Sequence, residues 1–139
     1  MISKRIIVAS IVFVLFHFAL VAGNKPLSLS SSSPENGASG ISVDAVLELE
    51  FSNNVVNLSV QENNKASIVL RDGDGKVLEI EVIFPDDQLE PEKKRMIAVR
   101  PVSPLEKGTL YTLEIAPTFQ AKNGSSLAEP VELTFTTVK

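Results

Sequence analysis

The chain has 139 residues, with 13 lysines and arginines against 17 aspartates and glutamates, and it contains no cysteine. The excess of negative charge excludes a protein that binds nucleic acid through its phosphates, because such binding needs a cationic surface. The lack of cysteine excludes disulfides, thiolate metal sites and a cysteine nucleophile.

The first 23 residues have the pattern of a signal peptide. Lys4 and Arg5 precede an apolar run over residues 6–22, which ends in small residues. We predict cleavage after Gly23; if the segment is retained, residues 6–22 would anchor the chain in a membrane. Because positive charge stays on the cytoplasmic side, the rest of the chain is expected outside the cytoplasm in both cases, as a secreted or cell-surface protein.

The exported part is predicted to begin with a short strand in residues 24–33. Leu27 and Leu29 alternate with polar residues, and the serine run that follows is typical of a flexible edge or a linker. Residues 34–37 then read as a turn, because proline fixes φ and Asn-Gly accepts positive φ. We therefore place the main domain at residues 34–139.

The sharpest strand pattern lies between Leu47 and Phe51, where three apolar residues alternate with glutamates. Such alternation predicts a strand with one buried face and one wet face. Residues 55–64 fit either a loop or a short helical turn, and the sequence leaves both open.

Residues 67–71 and 77–84 are predicted to form a β-hairpin. The sequence Asp72-Gly73-Asp74-Gly75 between them is a strong turn signal. Asp72 and Asp74 also resemble the start of a calcium loop. An EF-hand loop would need ligands at positions 76 and 83, which hold lysine and isoleucine, so the turn is the favoured interpretation.

An exposed loop is predicted for residues 85–94, which hold two prolines and six charged residues. Asp86 and Asp87 belong to an acidic group that lysines follow at once. A solvated loop whose charges compensate one another is favoured over a ligand site.

The next strand should carry either Met96 and Ala98 or Ile97 and Val99 inward, and the second pair is favoured because it has more apolar surface. This strand leads into a corner at Leu105 to Gly108, after which residues 110–115 form another strand. In Greek-key sandwiches, a tyrosine at such a position can return its hydroxyl to a nearby backbone group. We predict that Tyr111 locks this corner and that its ring joins the core.

The last predicted strand contains Val131, Leu133 and Phe135, and it follows a loop that contains Asn123. In that loop, Phe119 is the one aromatic residue that could be exposed, although a lid over the end of the sandwich is the favoured interpretation. About seven short strands separated by turns predict an all-β, immunoglobulin-like Greek-key β-sandwich.

Catalytic chemistry finds little support in the sequence. The only histidine, His17, lies in the export segment, so the exported part lacks the central group of catalytic triads and of histidine-ligated metal sites. The strand glutamates are expected to serve solubility and to discourage edge pairing, whereas a glycosidase needs two acids facing across a cleft.

Four motifs in register resemble the bacterial Ig-like domain of the SbsA type, which occurs in S-layer and other surface proteins. The motifs are Pro34 to Ala38 with Phe51-Ser52, Asp72 to Val77, Pro101 to Tyr111, and Leu127 with Phe135 to Thr137. The resemblance covers about residues 27–137 and implies a seven-stranded sandwich that acts as a spacer, scaffold or binding surface, without catalytic residues. CopC-type copper-binding sandwiches share the corner but need a histidine near the mature N-terminus, and Asn24-Lys25-Pro26 offers none.

We therefore expect an exported, non-enzymatic Ig-like module without a cofactor that acts in cell-surface structure or protein contact. Its partner would be another envelope or surface protein, or a cell-wall polymer. The alternative is a module that binds a small ligand or carbohydrate through loops at one end. The weak candidates for those ligand loops are Asp72, Asp74, Asp86, Asp87, Phe119 and Asn123, and the residues expected to support the fold are Tyr111, Gly108, Leu105, Phe51 and Phe135.

Overall fold

The computed structural model describes residues 25–139, and the predicted signal segment lies outside them. Within this range, no helix is both long enough and apolar enough to cross a lipid bilayer. The described residues form nine strands and two short helical elements. Their bounds in chain order are β1 Leu29–Ser33, β2 Ala38–Ile41, β3 Leu47–Phe51, α1 Leu58–Ala66, β4 Ile68–Arg71, β5 Val77–Leu78, β6 Ile80–Ile83, a 3₁₀ helix Pro91–Lys93, β7 Met96–Pro101, β8 Leu110–Ile115 and β9 Val131–Thr137.

The strands form two sheets, which confirms the predicted all-β sandwich. One sheet has four strands in the order β1-β3-β7-β6, and the other has five in the order β2-β9-β8-β4-β5. The paired strands are antiparallel except for β2, which runs parallel to β9. The inner faces of both sheets supply the core, as alternation in the sequence requires.

The inward residues are those that the alternation predicts. Leu47, Leu49 and Phe51 of β3 are buried, and so are Ile97 and Val99 of β7. From the other sheet, the core receives these buried side chains of β4, β8 and β9: Ile68, Leu70, Tyr111, Leu113, Ile115, Leu133 and Phe135. The phases of these strands are thus confirmed.

The predicted hairpin is correct for only two residue pairs. Val77 and Leu78 of β5 pair with β4, but β6 leaves that sheet and pairs with β7 in the other one. Leu78 and Ile80 nevertheless pack against the same core. Because the core lies between the sheets, one alternating apolar face suits either sheet, so the pattern could not reveal the crossing.

A similar division of one segment between the two sheets occurs at the start of the described chain. The serine run expected to be a flexible edge or linker is part of β1, where Ser31 lies opposite Glu50 of β3. After the turn, β2 joins the other sheet beside β9. These two divisions explain why nine strands are present where about seven were predicted.

The segment that the sequence left open contains helix α1. Asn57 caps its first turn, because the Asn57 side chain accepts a hydrogen bond from the backbone N–H of Ser59 at 3.1 Å. Only Val60 and Asn64 of the helix are buried. With so few inward residues, the helix has no apolar stripe that a periodicity search could detect.

Candidate functional site

The corner before β8 has the geometry that the sequence predicts. The hydroxyl oxygen of Tyr111 accepts a hydrogen bond from the backbone N–H of Glu106 at 2.8 Å. Leu105 is buried, and its N–H bonds to the carbonyl of Val43 at 2.8 Å. Gly108 has a φ of 58°, a conformation that glycine adopts without a Cβ clash. These contacts connect the corner to the core and give it a structural role.

Thr137 is a second corner residue; it belongs to the motif Phe135 to Thr137, but a role at the corner was not predicted for it. Its hydroxyl donates to the carbonyl of Glu106 and accepts from the backbone N–H of Thr109 at 2.9 Å. Beneath these bonds, the ring of Tyr111 stacks on Phe135 with 5.6 Å between ring centroids. The hydroxyls of Tyr111 and Thr137 thus fix both backbone groups of Glu106.

The opposite end of β8 leads to the candidate functional site, which we call the loop end: residues 53–66, 85–94 and 116–129. Phe119 closes this end from within. It has no exposed surface, and its ring stacks on Phe51 with 4.6 Å between centroids. Phe119 therefore cannot serve as an exposed platform for a sugar. It covers the core, as the lid interpretation expects, because its apolar ring gains more from the core than from water.

Asn64 joins helix α1 to the loop that carries Phe119. Its side chain is fully buried. Its amide nitrogen donates to the carbonyls of Val55 and Gln120 at 3.0 and 2.8 Å, while its oxygen accepts from the N–H of Gln120 at 2.9 Å. One side chain thus replaces backbone pairing between two segments that are far apart in the chain. Sequence reasoning missed Asn64 because a lone asparagine in a polar helix carries no pattern.

Asp87 connects the 85–94 loop to the start of helix α1. Its Oδ2 accepts hydrogen bonds from the side-chain amides of Asn54 and Asn57 at 2.9 and 3.0 Å. The bond from Asn54, followed by that from Asn57, lowers the pKa of Asp87 to about 2, because both bonds stabilise the ionised carboxylate. Asp87 is therefore a tie between segments rather than part of a merely solvated loop.

The other candidate loop residues belong to their own turns. Oδ1 of Asp72 accepts from the backbone N–H groups of Asp74 and Lys76 at 3.0 and 2.9 Å. Asp86 accepts in the same way from Gln88 at 2.8 Å. Asn123 Oδ1 accepts from the N–H and the hydroxyl of Ser125. These side chains stabilise turns and do not converge on one point. Residues 25–139 also contain no group of three potential metal-ligating acids, histidines or cysteines.

The loop end instead presents apolar side chains to water. Leu58 is 83% exposed and Leu89 is 80% exposed, the highest values among the large apolar residues of the described chain. Leu58 directly follows Asn57, and Leu89 lies two residues after Asp87. The hydrogen bond between Asn57 and Asp87 therefore joins the two segments that carry these leucines.

Comparison with known proteins identifies the family. The sequence model of the bacterial Ig-like domain matches residues 23–137. The chain belongs to this family. No curated protein matches its sequence.

Solved structures agree with the Ig-like sandwich. CopC from Methylosinus trichosporium OB3b has a TM-score of 0.56 at 16% identity, over 81% of this chain and 93% of that one. The N-terminal part of the bacterial S-layer protein SbsC has a TM-score of 0.57 at 16% identity, over 83% of this chain and 24% of that one. An L,D-transpeptidase from Mycobacterium smegmatis has a TM-score of 0.50 at 14% identity, over 82% and 41%. At these identities, the likeness establishes a common fold and nothing more. The fold of this Ig-like chain covers nearly all of CopC but only part of the other two proteins.

Proposed function

We propose that the chain is an extracytoplasmic, non-enzymatic Ig-like module that works by protein contact in the cell envelope. Support for this location comes from the export pattern in the sequence and from the occurrence of the same fold in an S-layer protein. The SbsA-type resemblance fits the same proposal. The finer question is which surface of the module makes the contact.

The observation that carries the proposal is the pair of exposed leucines at the loop end. Burial of a leucine side chain is worth about 1.5–3 kcal/mol, so a fold gains nothing from holding two of them in water. The hydrogen bonds of Asn54 and Asn57 with Asp87 hold together the two segments that carry these leucines. A preformed apolar contact loses little conformational entropy when a partner binds. The loop end therefore suits a protein partner that has a complementary apolar patch.

Binding of a small ligand or carbohydrate fits the same end less well. The aromatic ring of Phe119 is buried, and the side-chain oxygens of Asp87 and Asn123 are committed to internal hydrogen bonds. Small-molecule sites need concave apolar walls with a few convergent polar groups. At the loop end, Asp87 and Asn123 are used in internal hydrogen bonds, while Leu58 and Leu89 face water, which does not form such a site.

An enzymatic role is not part of this proposal. They contain neither histidine nor cysteine. Their ion pairs join strand or loop residues that are well exposed on the surface. A nucleophile and a base within hydrogen-bonding reach of each other are the minimum for covalent catalysis. A scaffold or contact module is therefore the function that we propose.

Site-specific photo-cross-linking in the native host tests the proposal. A photoreactive residue at position 58 or 89 should capture the same envelope protein, whereas one at Val102, which is also exposed, should not. The double variant Leu58→Ser with Leu89→Ser should lose that partner and keep its melting temperature. Different products from positions 58 and 89, or the same product from all three positions, would contradict a contact at the loop end.

A glycan and peptidoglycan binding screen distinguishes the alternative, a carbohydrate-binding module, from a protein-contact module. The contact proposal predicts no binding that depends on the loop end. A specific hit that is lost on Asn123→Ala but kept in the double leucine variant would favour a carbohydrate-binding module instead.

A further inference from the structure

The outer face of the four-stranded sheet has a composition of its own. Strand register places Ser33 opposite Glu48, Glu48 opposite Ala98, and Ala98 opposite Ile83, so one row crosses all four strands. A second row runs beside it from Ser31 through Glu50 to Met96. Each row begins at the β1 edge with a small hydroxyl, continues to a carboxylate and ends on apolar side chains.

This arrangement produces a groove across the sheet. Next to β1, a depression of about 110 Å³ is lined by Ser31, Ser32, Ser33, Glu48, Leu49, Glu50 and Met96. A neighbouring depression of about 200 Å³ is lined by Glu48, Ile83, Pro85, Lys93, Met96, Ile97 and Ala98. The two share Glu48 and Met96, and therefore adjoin. We call their union the sheet groove. Serine and alanine form it because their side chains are shorter than those of the flanking residues.

The charges in the sheet groove are unevenly compensated. Arg100 forms an ion pair with Glu81, and Lys93 forms one with Glu90 at 2.8 Å. Within residues 25–139, neither Glu48 nor Glu50 is part of an ion pair, and Glu50 only accepts a 3.4 Å hydrogen bond from Ser31. The β1 half of the sheet groove is therefore anionic, while its β6 half is lined by Ile83, Pro85 and Ala98 together with Lys93, whose charge is paired with Glu90.

The outer face of the five-stranded sheet differs in how its charges are paired. There, Glu114 is paired with Arg71 at 3.2 Å. Threonines occupy the neighbouring positions, since Thr112 lies opposite Thr134. Glu132 lies opposite Glu114 and has no ion pair among the described residues. The same row continues to Val69 of β4, and Val69, Pro117 and Pro130 line a depression beside the two glutamates. Glu132 is thus a matched control for an exposed strand glutamate outside the sheet groove.

We propose that the sheet groove docks an extended segment of a partner protein that carries a lysine or arginine three residues away from a large apolar side chain. The charge of Glu48 and Glu50 selects the basic residue, and Ala98 with Ile83 receives the apolar one. Glu48 and Ile83 lie two strands apart, which is about 10 Å at ~4.8 Å per strand. An extended chain covers that distance in about three residues, and a polyproline II segment then points both side chains the same way.

This surface is separate from the loop end and adds a second contact, of different chemistry, to the proposed module. An apolar partner patch suffices at the loop end, whereas the sheet groove requires a positive charge at a set distance. A surface that combines charge complementarity with an apolar strip gives specificity as well as affinity.

Titration of the isotope-labelled full-length chain with a synthetic peptide tests the proposal. The probe is the blocked hexapeptide Ser-Arg-Pro-Pro-Leu-Ser, followed by amide chemical shifts in NMR spectra at low salt. We expect shifts confined to strands β1, β3, β6 and β7, and an affinity that falls as salt is added. A peptide with glutamate in place of arginine should bind at least about threefold more weakly, because an exposed charge pair is worth up to about a factor of five. A peptide with serine in place of leucine should also bind at least about threefold more weakly, because it has no large apolar side chain for Ala98 and Ile83 to receive.

Variants of the protein make the test decisive. The double variant Glu48→Gln with Glu50→Gln should lower the affinity for the hexapeptide by about three- to tenfold. Neither Glu132→Gln nor the double leucine variant should change that affinity. Three results would overturn the proposed docking at the sheet groove: no binding at millimolar peptide, shifts centred on the five-stranded sheet, or an affinity that is the same with and without the two glutamine substitutions. None of these results would bear on the loop end, because that surface is tested by cross-linking.

Discussion

The two ends of β8 are fixed by different kinds of side chain. At the corner, the hydroxyls of Tyr111 and Thr137 bind the backbone of Glu106. At the loop end, the buried amide of Asn64 and the carboxylate of Asp87 bind groups from separate segments. Each end also contains one stacked aromatic pair.

The difference between the ends concerns what each one presents to water. The corner turns Leu105 into the core, whereas the loop end holds Leu58 and Leu89 outside it. The corner also exposes Val102 and Leu110, by 56% and 50%, but less than the two leucines of the loop end are exposed. Under the proposal above, the corner serves the fold and the loop end contacts a partner. Four predictions, taken from the largest expected effect to the smallest, test whether both ends are equally part of the core.

The largest effect is expected from the two aromatic pairs. Phe119→Ala and Phe135→Ala should each lower the free energy of unfolding by roughly 3–5 kcal/mol, because each removes a fully enclosed ring and leaves a cavity. Denaturant unfolding of both variants measures this, with Leu89→Ala as an exposed control that should change little. A cost for Phe119→Ala close to that of the control would show that the loop end is only a covering loop.

The next effect is expected at Asn64. Asn64→Leu should cost about 2–4 kcal/mol, because the carbonyls of Val55 and Gln120 would lose their partners in a buried place. Thermal unfolding measures the loss, and Glu62→Ala on the exposed side of the same helix is the control. If the leucine variant were as stable as the wild type, helix α1 would not depend on this tie.

A smaller effect is expected at the corner. Tyr111→Phe keeps the ring against Phe135 but removes the acceptor for the N–H of Glu106. The free energy of unfolding should fall by about 1 kcal/mol or somewhat more. An unfolding curve that superimposes on that of the wild type would mean that the hydroxyl does not lock the corner.

The smallest effect is expected at Asp87, and it depends on pH. Its pKa is about 2 in the folded chain, compared with about 4 in an unfolded chain. The carboxylate thus adds stability above pH 4, and this contribution disappears as the pH falls through about 2. Asp87→Asn should be less stable than the wild type at pH 7, with a difference that shrinks towards pH 2. The Asp74 carboxylate makes no hydrogen bond within the described residues, so Asp74→Asn should keep the stability of the wild type at pH 7. A gap for Asp87→Asn that stays constant with pH would contradict the link made by Asp87.

The comparison also explains what the sequence could predict. Strand phases follow from alternation because a residue on the wrong face would place apolar surface in water. The corner was visible because proline, glycine and Tyr111 stand at fixed spacings within a few residues. Local chemistry of this kind acts over a short stretch of chain, and a single sequence contains all of it.

The loop end could not be predicted in the same way. Asn64 acts on Gln120, which is 56 residues away, and Asp87 acts on Asn54, which is 33 residues away. Only the folded chain brings these side chains together, and asparagine is common in ordinary loops. Phe119 could be judged a lid, but its partner Phe51 could not be named. The crossing of residues 77–84 between sheets was likewise hidden, because both sheets use the same apolar phase.

Amide hydrogen exchange in the full-length chain tests the central claim, that the loop end is a rigid platform continuous with the core. The reporters are the N–H of Gln120, bonded to Asn64, and the N–H of Glu106, bonded to Tyr111. We predict that both amides exchange slowly and with similar protection, since each opens only when the packing around it is lost. Fast exchange at Gln120 beside slow exchange at Glu106 would contradict the claim and would make Leu58 and Leu89 part of a loose loop.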